Sequence, residues 1–168
     1  MDKKLICGNK FQFNLRNKVI GLSVKFENLP NELIIEGNNL ILKDSFHVSL
    51  VCIGKIMEKY NVSIPDFDNK IVNDFCEYSK TNEIEVLEYN DFKFAVEKDL
   101  KSIIVTCKVS NLNKFFEFIN KKYGLKIEYP PTHVTLYTLS GKLGIFVTDL
   151  NDIKNLTKPI PNPIGHSL

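Results

Sequence analysis

The stretch Phe46-His47-Val48-Ser49-Leu50 returns as Thr132-His133-Val134-Thr135-Leu136, and this pair constrains the fold more than anything else in the chain. In each copy a histidine and a hydroxyl stand two places apart, with Val and Leu in the alternate positions. Side chains of a β-strand point to opposite faces in turn, so each copy reads as a strand with one chemical face and one buried face. Two strands 86 residues apart in sequence must then each bury a Val-Leu face. Given a histidine, average composition makes the continuation Val, Ser or Thr, Leu a roughly one-in-a-thousand event. It follows two of the three histidines.

The flanking sequence places these strands in a mixed fold. Residues 19–26 alternate apolar and polar as a half-buried strand does, ahead of a turn at Leu29-Pro30-Asn31. Short apolar runs at 32–36 and 40–43 flank Gly37-Asn38-Asn39, which predicts a hairpin. The first histidine strand should run over 46–53 and close at Gly54. Phe67, Ile71, Val72, Phe75 and Tyr78 recur at helical spacing, with Asp66 or Ser63 to cap the start. Residues 85–89 and 92–97 read as two strands joined through Asn90-Asp91, with Phe92, Phe94 and Val96 on one face, and 102–109 as a buried strand.

A second helix is expected from an N-cap at Ser110 to a stop at Gly124, turning Leu112, Phe115, Phe116, Ile119 and Tyr123 inward. Pro130-Pro131 fixes an extended approach to the second histidine strand. Ser140-Gly141-Lys142 should then turn the chain into a hairpin partner over 143–147, followed by a short helix through Leu150, Ile153 and Leu156. Residues 1–157 read as one catalytic domain and 158–168 as a poorly ordered tail, with no role for His166. This order of elements predicts an α+β fold with antiparallel sheets.

Charge and cysteine usage narrow the function. With 22 basic and 20 acidic residues the net charge is +2, so no global field draws the chain to nucleic acid or to an anionic membrane, and an anionic ligand must be held locally. Cys7, Cys52, Cys76 and Cys107 form no CxxC pair and mostly sit among apolar neighbours, which predicts reduced, structural thiols. The apolar run after Met1 is too short for a signal peptide, and no stretch reaches the ~20 apolar residues of a membrane helix. The expectation is a cytoplasmic monomer without membrane contact.

The chemistry that suits paired imidazoles is phosphoryl transfer. An ordinary histidine pKa of about 6.5 lets one copy act as neutral base while another is a protonated acid. Set on opposite sides of a phosphorus atom, His47 and His133 would serve in-line displacement without a metal. Ser49 and Thr135 would donate hydrogen bonds to the non-bridging oxygens. The rival, a metal site, lacks an HxH pair or a nearby carboxylate set. By alternation Tyr137 shares the face of His133 and Thr135, where it would stack a base, or else pack on the next strand. Lys142 is a candidate phosphate contact, against plain solvation. Phe46 and Thr132 point the other way, into the core.

At these residues the sequence resembles the 2H phosphoesterase superfamily, named for two His-x-Ser/Thr motifs, which includes RNA 2',3'-cyclic phosphodiesterases and 2'-5' RNA ligase-like proteins. The stretch His47-Val48-Ser49-Leu50-Val51-Cys52-Ile53-Gly54-Lys55 is similar to the first motif of that family, and the separation of the two motifs also suits it. The resemblance implies a two-lobed α+β fold with pseudo-twofold symmetry around a central cleft, no cofactor and no metal. It implies action on RNA ends or on a 2'-linked or cyclic nucleotide phosphate. Near-neutral charge and a single arginine favour a short RNA or small nucleotide over duplex DNA or long duplex RNA. The alternatives are a non-catalytic RNA-end or cyclic-nucleotide binding protein, and a 2'-5' RNA ligase-like activity.

Overall fold

The computed structural model describes residues 2–168 and has an α+β fold built on antiparallel strand pairing. The chain divides into two compact units. One comprises residues 1–22, 49–87 and 109–129, and the other 23–48, 88–108 and 130–168.

In the first unit, strands β1 (Lys3–Ile6), β2 (Phe11–Asn14) and β3 (Val19–Val24) lie side by side, with β6 (Phe46–Cys52) next to β3. Helices α1 (Ile53–Lys59), α2 (Phe67–Ser79) and α3 (Leu112–Tyr123) complete it. The core is aromatic: Phe75 meets Phe11 and Phe115 edge to face at 4.9 and 5.2 Å, and all three are buried. Edge-on packing sets the positive ring rim against a negative ring face, which favours this geometry over a flat sandwich. Gly124 ends α3 at φ 65, as its position after Lys121-Lys122 predicts.

Three details of this unit differ from expectation. Ser110 does not cap α3: Asn111 takes that place at φ 57, while Ser110 donates to the Glu83 carbonyl at 2.7 Å and accepts from the Glu85 amide at 2.9 Å. The hydroxyl ties a connecting segment to the helix start instead. The first histidine strand ends at Cys52, because Ile53 and Ile56 turn inward at helical spacing and open α1. Gly54 is there for room, since a Cβ would stand 2.7 Å from the Asn17 carbonyl oxygen. Finally, Cys7 and Cys76 are joined by a disulfide, with Cα atoms 4.9 Å apart, which corrects the expectation of four reduced thiols. Only Cys52 and Cys107 remain free, and burial pushes both thiols up to about 11.

In the second unit the strand order is β6, β9 (His133–Thr138), β8 (Leu100–Val109), β7 (Val86–Glu97) and β10 (Thr157–Pro159). The hairpin of β4 (Glu32–Ile35) and β5 (Asn38–Leu42) joins β9 through β5. Its turn falls at Glu36-Gly37, both at positive φ, the primed geometry that matches strand twist. Strand β5 pairs the far end of β9, at Tyr137 and Thr138, whereas β6 pairs it at Val134.

Several expectations fail here for local reasons. β7 is one strand, not two: the Thr106 hydroxyl accepts from the Asp91 amide at 3.0 Å and so holds the polar Asn90-Asp91 step in line. Val96 is exposed while Ala95 is buried beside Phe94. Residues 143–147 form no strand. Ile145 and Val147 instead pack on Ala95 and Ile104, with Ile153 and Leu156 of α4 (Leu150–Leu156) behind them. The tail is also held: β10 pairs β7 antiparallel, and the Ile160 amide donates to the Phe92 carbonyl at 3.1 Å. Among the described residues no helix is long and apolar enough to cross a membrane.

Candidate functional site

The alternation predicted for both motif strands is observed. Val48, Leu50, Val134 and Leu136 are fully buried, while His47, Ser49, His133 and Thr135 are half-buried. The buried residues fix the register, because a one-residue slip would turn every Val and Leu outward and every histidine inward.

β6 and β9 run antiparallel with Val48 opposite Val134. His47 precedes Val48 and Thr135 follows Val134, so antiparallel geometry sets His47 across from Thr135. Residues directly opposed in such a ladder have Cβ atoms about 4.5 to 5.5 Å apart, and diagonal neighbours about 7 to 8 Å. By the same register His133 is the diagonal neighbour of His47. Ser49 stands two places beyond His47 along β6, on the same strand face.

On its other side β9 pairs β8, with Thr106 opposite His133 and Ile104 opposite Thr135. The register then shifts so that Ile103 faces Tyr137, which makes Leu136 an extra residue on β9. This bulge removes Tyr137 from the chemical face. Tyr137 is fully buried, its hydroxyl donates to the Pro30 carbonyl at 2.8 Å, and burial pushes its pKa up to about 12. It is a core residue and offers no ring to a ligand, contrary to the alternation argument. Thr132 is buried as expected, its hydroxyl donating to the Cys107 carbonyl at 2.6 Å.

His133 has a polarised setting. Its Nδ1 is shielded from solvent and has no hydrogen-bond partner among the described residues. Burial disfavours the charged ring and lowers its pKa below the ordinary histidine value, with the Pro131 backbone acting weakly in the opposite sense. At neutral pH the ring is therefore uncharged. Among the described residues no three His, Cys, Asp or Glu side chains gather as a metal site requires.

Lys142 is exposed on the turn after β9 and is not packed into the site. Two residues on, Gly144 brings the chain against Thr135: a Cβ there would lie 3.4 Å from Thr135 Cγ2 and 3.6 Å from Oγ1. The sequence places 143–147 beside this strand as a hairpin partner; the segment does approach it, but without strand structure, and the close contact at Gly144 is what the pattern did not signal. Comparisons with family models, with curated proteins and with solved structures find no match to this chain.

Proposed function

We propose that the protein is a metal-independent phosphodiesterase acting on RNA ends or on a 2'-linked or cyclic nucleotide phosphate, with His47 and His133 as its acid-base pair. The observation that carries this reading is the antiparallel pairing at Val48 and Val134, which makes neighbours of two imidazoles from remote parts of the chain. With the reading goes the two-lobed, pseudo-twofold architecture that the family resemblance implies.

In the hydrolysis of a 2',3'-cyclic phosphate, His133 is the base, since an uncharged imidazole at neutral pH can accept a proton. It removes a proton from the attacking water as the new P–O bond forms. His47 gives a proton to the departing ribose oxygen as the old P–O bond breaks, which leaves a phosphomonoester and a free hydroxyl. Thr135, and Ser49 beyond His47, donate hydrogen bonds to the non-bridging oxygens as negative charge gathers there. Each proton-transfer partner contributes typically about 10² to 10⁴ in rate, and each oxyanion donor about 10² to 10³.

The test is a panel of 2',3'-cyclic nucleotides, 2'-5' oligoadenylates and cyclic dinucleotides, with the products mapped, in the presence and absence of EDTA. The reading expects turnover of at least one class, undiminished by chelator. Tight binding of a nucleoside monophosphate with no turnover of any class would replace the enzyme by a sequestering protein.

A further inference from the structure

We infer that Gly144 is bare of a side chain to leave the Thr135 hydroxyl open, and that a phosphate oxygen of the ligand takes the space which a side chain at 144 would fill. The placement rests on the phosphate reading above and adds to it a residue that decides whether the phosphate fits.

Where the fold itself requires a glycine, the cause is visible in the backbone or in the neighbours. Gly124 ends α3 at φ 65, a conformation that strains a side chain, and a Cβ on Gly54 would press on the Asn17 carbonyl oxygen at 2.7 Å. Gly144 shows neither cause. Its φ is not positive. A Cβ built there meets Thr135 Cγ2 at 3.4 Å, Oγ1 at 3.6 Å and Cβ at 3.8 Å, which are ordinary contact distances. An alanine would fold there without strain, and it would also lower the entropy of the unfolded chain. What a side chain would change is the surroundings of one hydroxyl, and that hydroxyl belongs to the second histidine motif.

Packing sets the segment on the face of the sheet that carries the motif. Ile104 lies opposite Thr135 and Thr106 opposite His133 in the β8–β9 ladder, so all four side chains project from one face. Ile145 and Val147 pack on Ile104 and Ala95, which lays residues 143–147 across that face beside Thr135. Every one of these residues belongs to the second unit. Thr135 is only half-buried, so its hydroxyl is still within reach of a ligand. An oxygen that accepts from a hydroxyl comes to about 2.7 Å of it. With only hydrogens on the Gly144 Cα, that approach stays open; a Cβ and the atoms beyond it would compete for the same space.

The test measures binding of adenosine 2'-monophosphate and of inorganic phosphate by titration calorimetry, with the melting temperature by circular dichroism as the check on folding. Gly144→Ala should weaken binding about threefold and Gly144→Val about tenfold or more, in the order of the volume added, with Gly144→Ala melting no lower than wild type. Thr135→Val removes the hydroxyl and keeps its shape, and should cost about tenfold, since a hydrogen bond to a charged acceptor is lost. Thr135→Val/Gly144→Val should bind no more than about threefold below the weaker single variant, because a blocked donor and an absent donor are one loss. Leu150→Ala, which truncates a side chain 64 % exposed on α4, should bind as wild type does. If Gly144→Val melts below wild type, Gly144→Ala and Thr135→Val/Gly144→Ala decide on the same terms. Wild-type affinity in both Gly144 variants overturns the inference, as do losses that multiply in the double variant or a wild type that binds neither probe. Turnover of the substrate panel with wild-type affinity in the Gly144 variants removes this inference alone. Overlapping losses at Gly144 and Thr135 without any turnover keep it and remove the phosphodiesterase.

Discussion

Reduction of the Cys7–Cys76 disulfide should weaken the first unit by an amount that the chain length between the two residues sets. The bridge spans a sequence separation of 69 and ties the β1–β2 turn to α2, whose Phe75 lies in the aromatic core next to Cys76. In the chain-entropy account, closing a loop of about 70 residues in the unfolded state stabilises the folded one by about 4 kcal/mol, and measured bridges range over about 0 to 5. With a urea dependence of about 2 kcal/mol per molar, that is a shift of about 2 M in the unfolding midpoint. The assay is urea unfolding followed by circular dichroism, since the chain has no tryptophan, for wild type with and without reductant and for Cys7→Ser/Cys76→Ser. Thiol titration of the unfolded, unreduced chain should find two reactive groups, Cys52 and Cys107, and four after reduction. Four thiols before reduction, or a midpoint that reductant leaves in place, would refute the reasoning. They would also restore the four reduced thiols that the sequence suggests.

Tyr137→Phe keeps the buried ring and removes only the bond to the Pro30 carbonyl, so it should cost about 1 kcal/mol in unfolding free energy while leaving ligand binding intact; lost binding would return Tyr137 to the site. His133 has a folded pKa below its unfolded value of about 6.5, so it binds fewer protons folded than unfolded. Its contribution is present above pH about 6.5 and is lost as the pH falls through the folded pKa, and His133→Gln should flatten the stability profile in that window. A profile identical to wild type would contradict the burial of the ring. Ser102 and Thr138 face each other across β8 and β9, fully buried, with neither hydroxyl partnered among the described residues. Ser102→Ala with Thr138→Val should therefore leave the melting temperature unchanged or raise it, and a loss above about 1 kcal/mol would show a bond that the geometry does not contain.

How far the sequence was legible depends on how local each signal is. The histidine strands were readable because alternation is a two-residue rule, and the burial of Val48, Leu50, Val134 and Leu136 follows it position by position. The β4–β5 turn and the Gly124 stop were readable for the same reason, each being set by backbone conformation at one or two residues. Tyr137 was misplaced because a bulge at Leu136, decided by the partner strand β8, breaks the alternation. Cys7 and Cys76 meet only because β1, β2 and α2 share a core, which neither residue's neighbours announce. The 143–147 segment alternates like a strand since Ile145 and Val147 face inward, yet its anchor is the α4 side of the unit and not a ladder. Asp66 was correctly placed before α2, but at φ 56 its side chain accepts from Asn69 Nδ2 at 2.7 Å and makes no backbone cap.

The central claim is that His47 and His133 work on one phosphorus atom, and single-turnover hydrolysis by His47→Ala, His133→Ala and the double variant tests it most directly. Each single substitution should slow the chemical step by about 10² or more. The double variant should be little slower than the worse single, because the two protons move in one event. The acid limb of the pH profile, set by His133, should disappear in His133→Ala. Full activity in either single variant, or strictly multiplicative losses with an unchanged acid limb, would contradict the account.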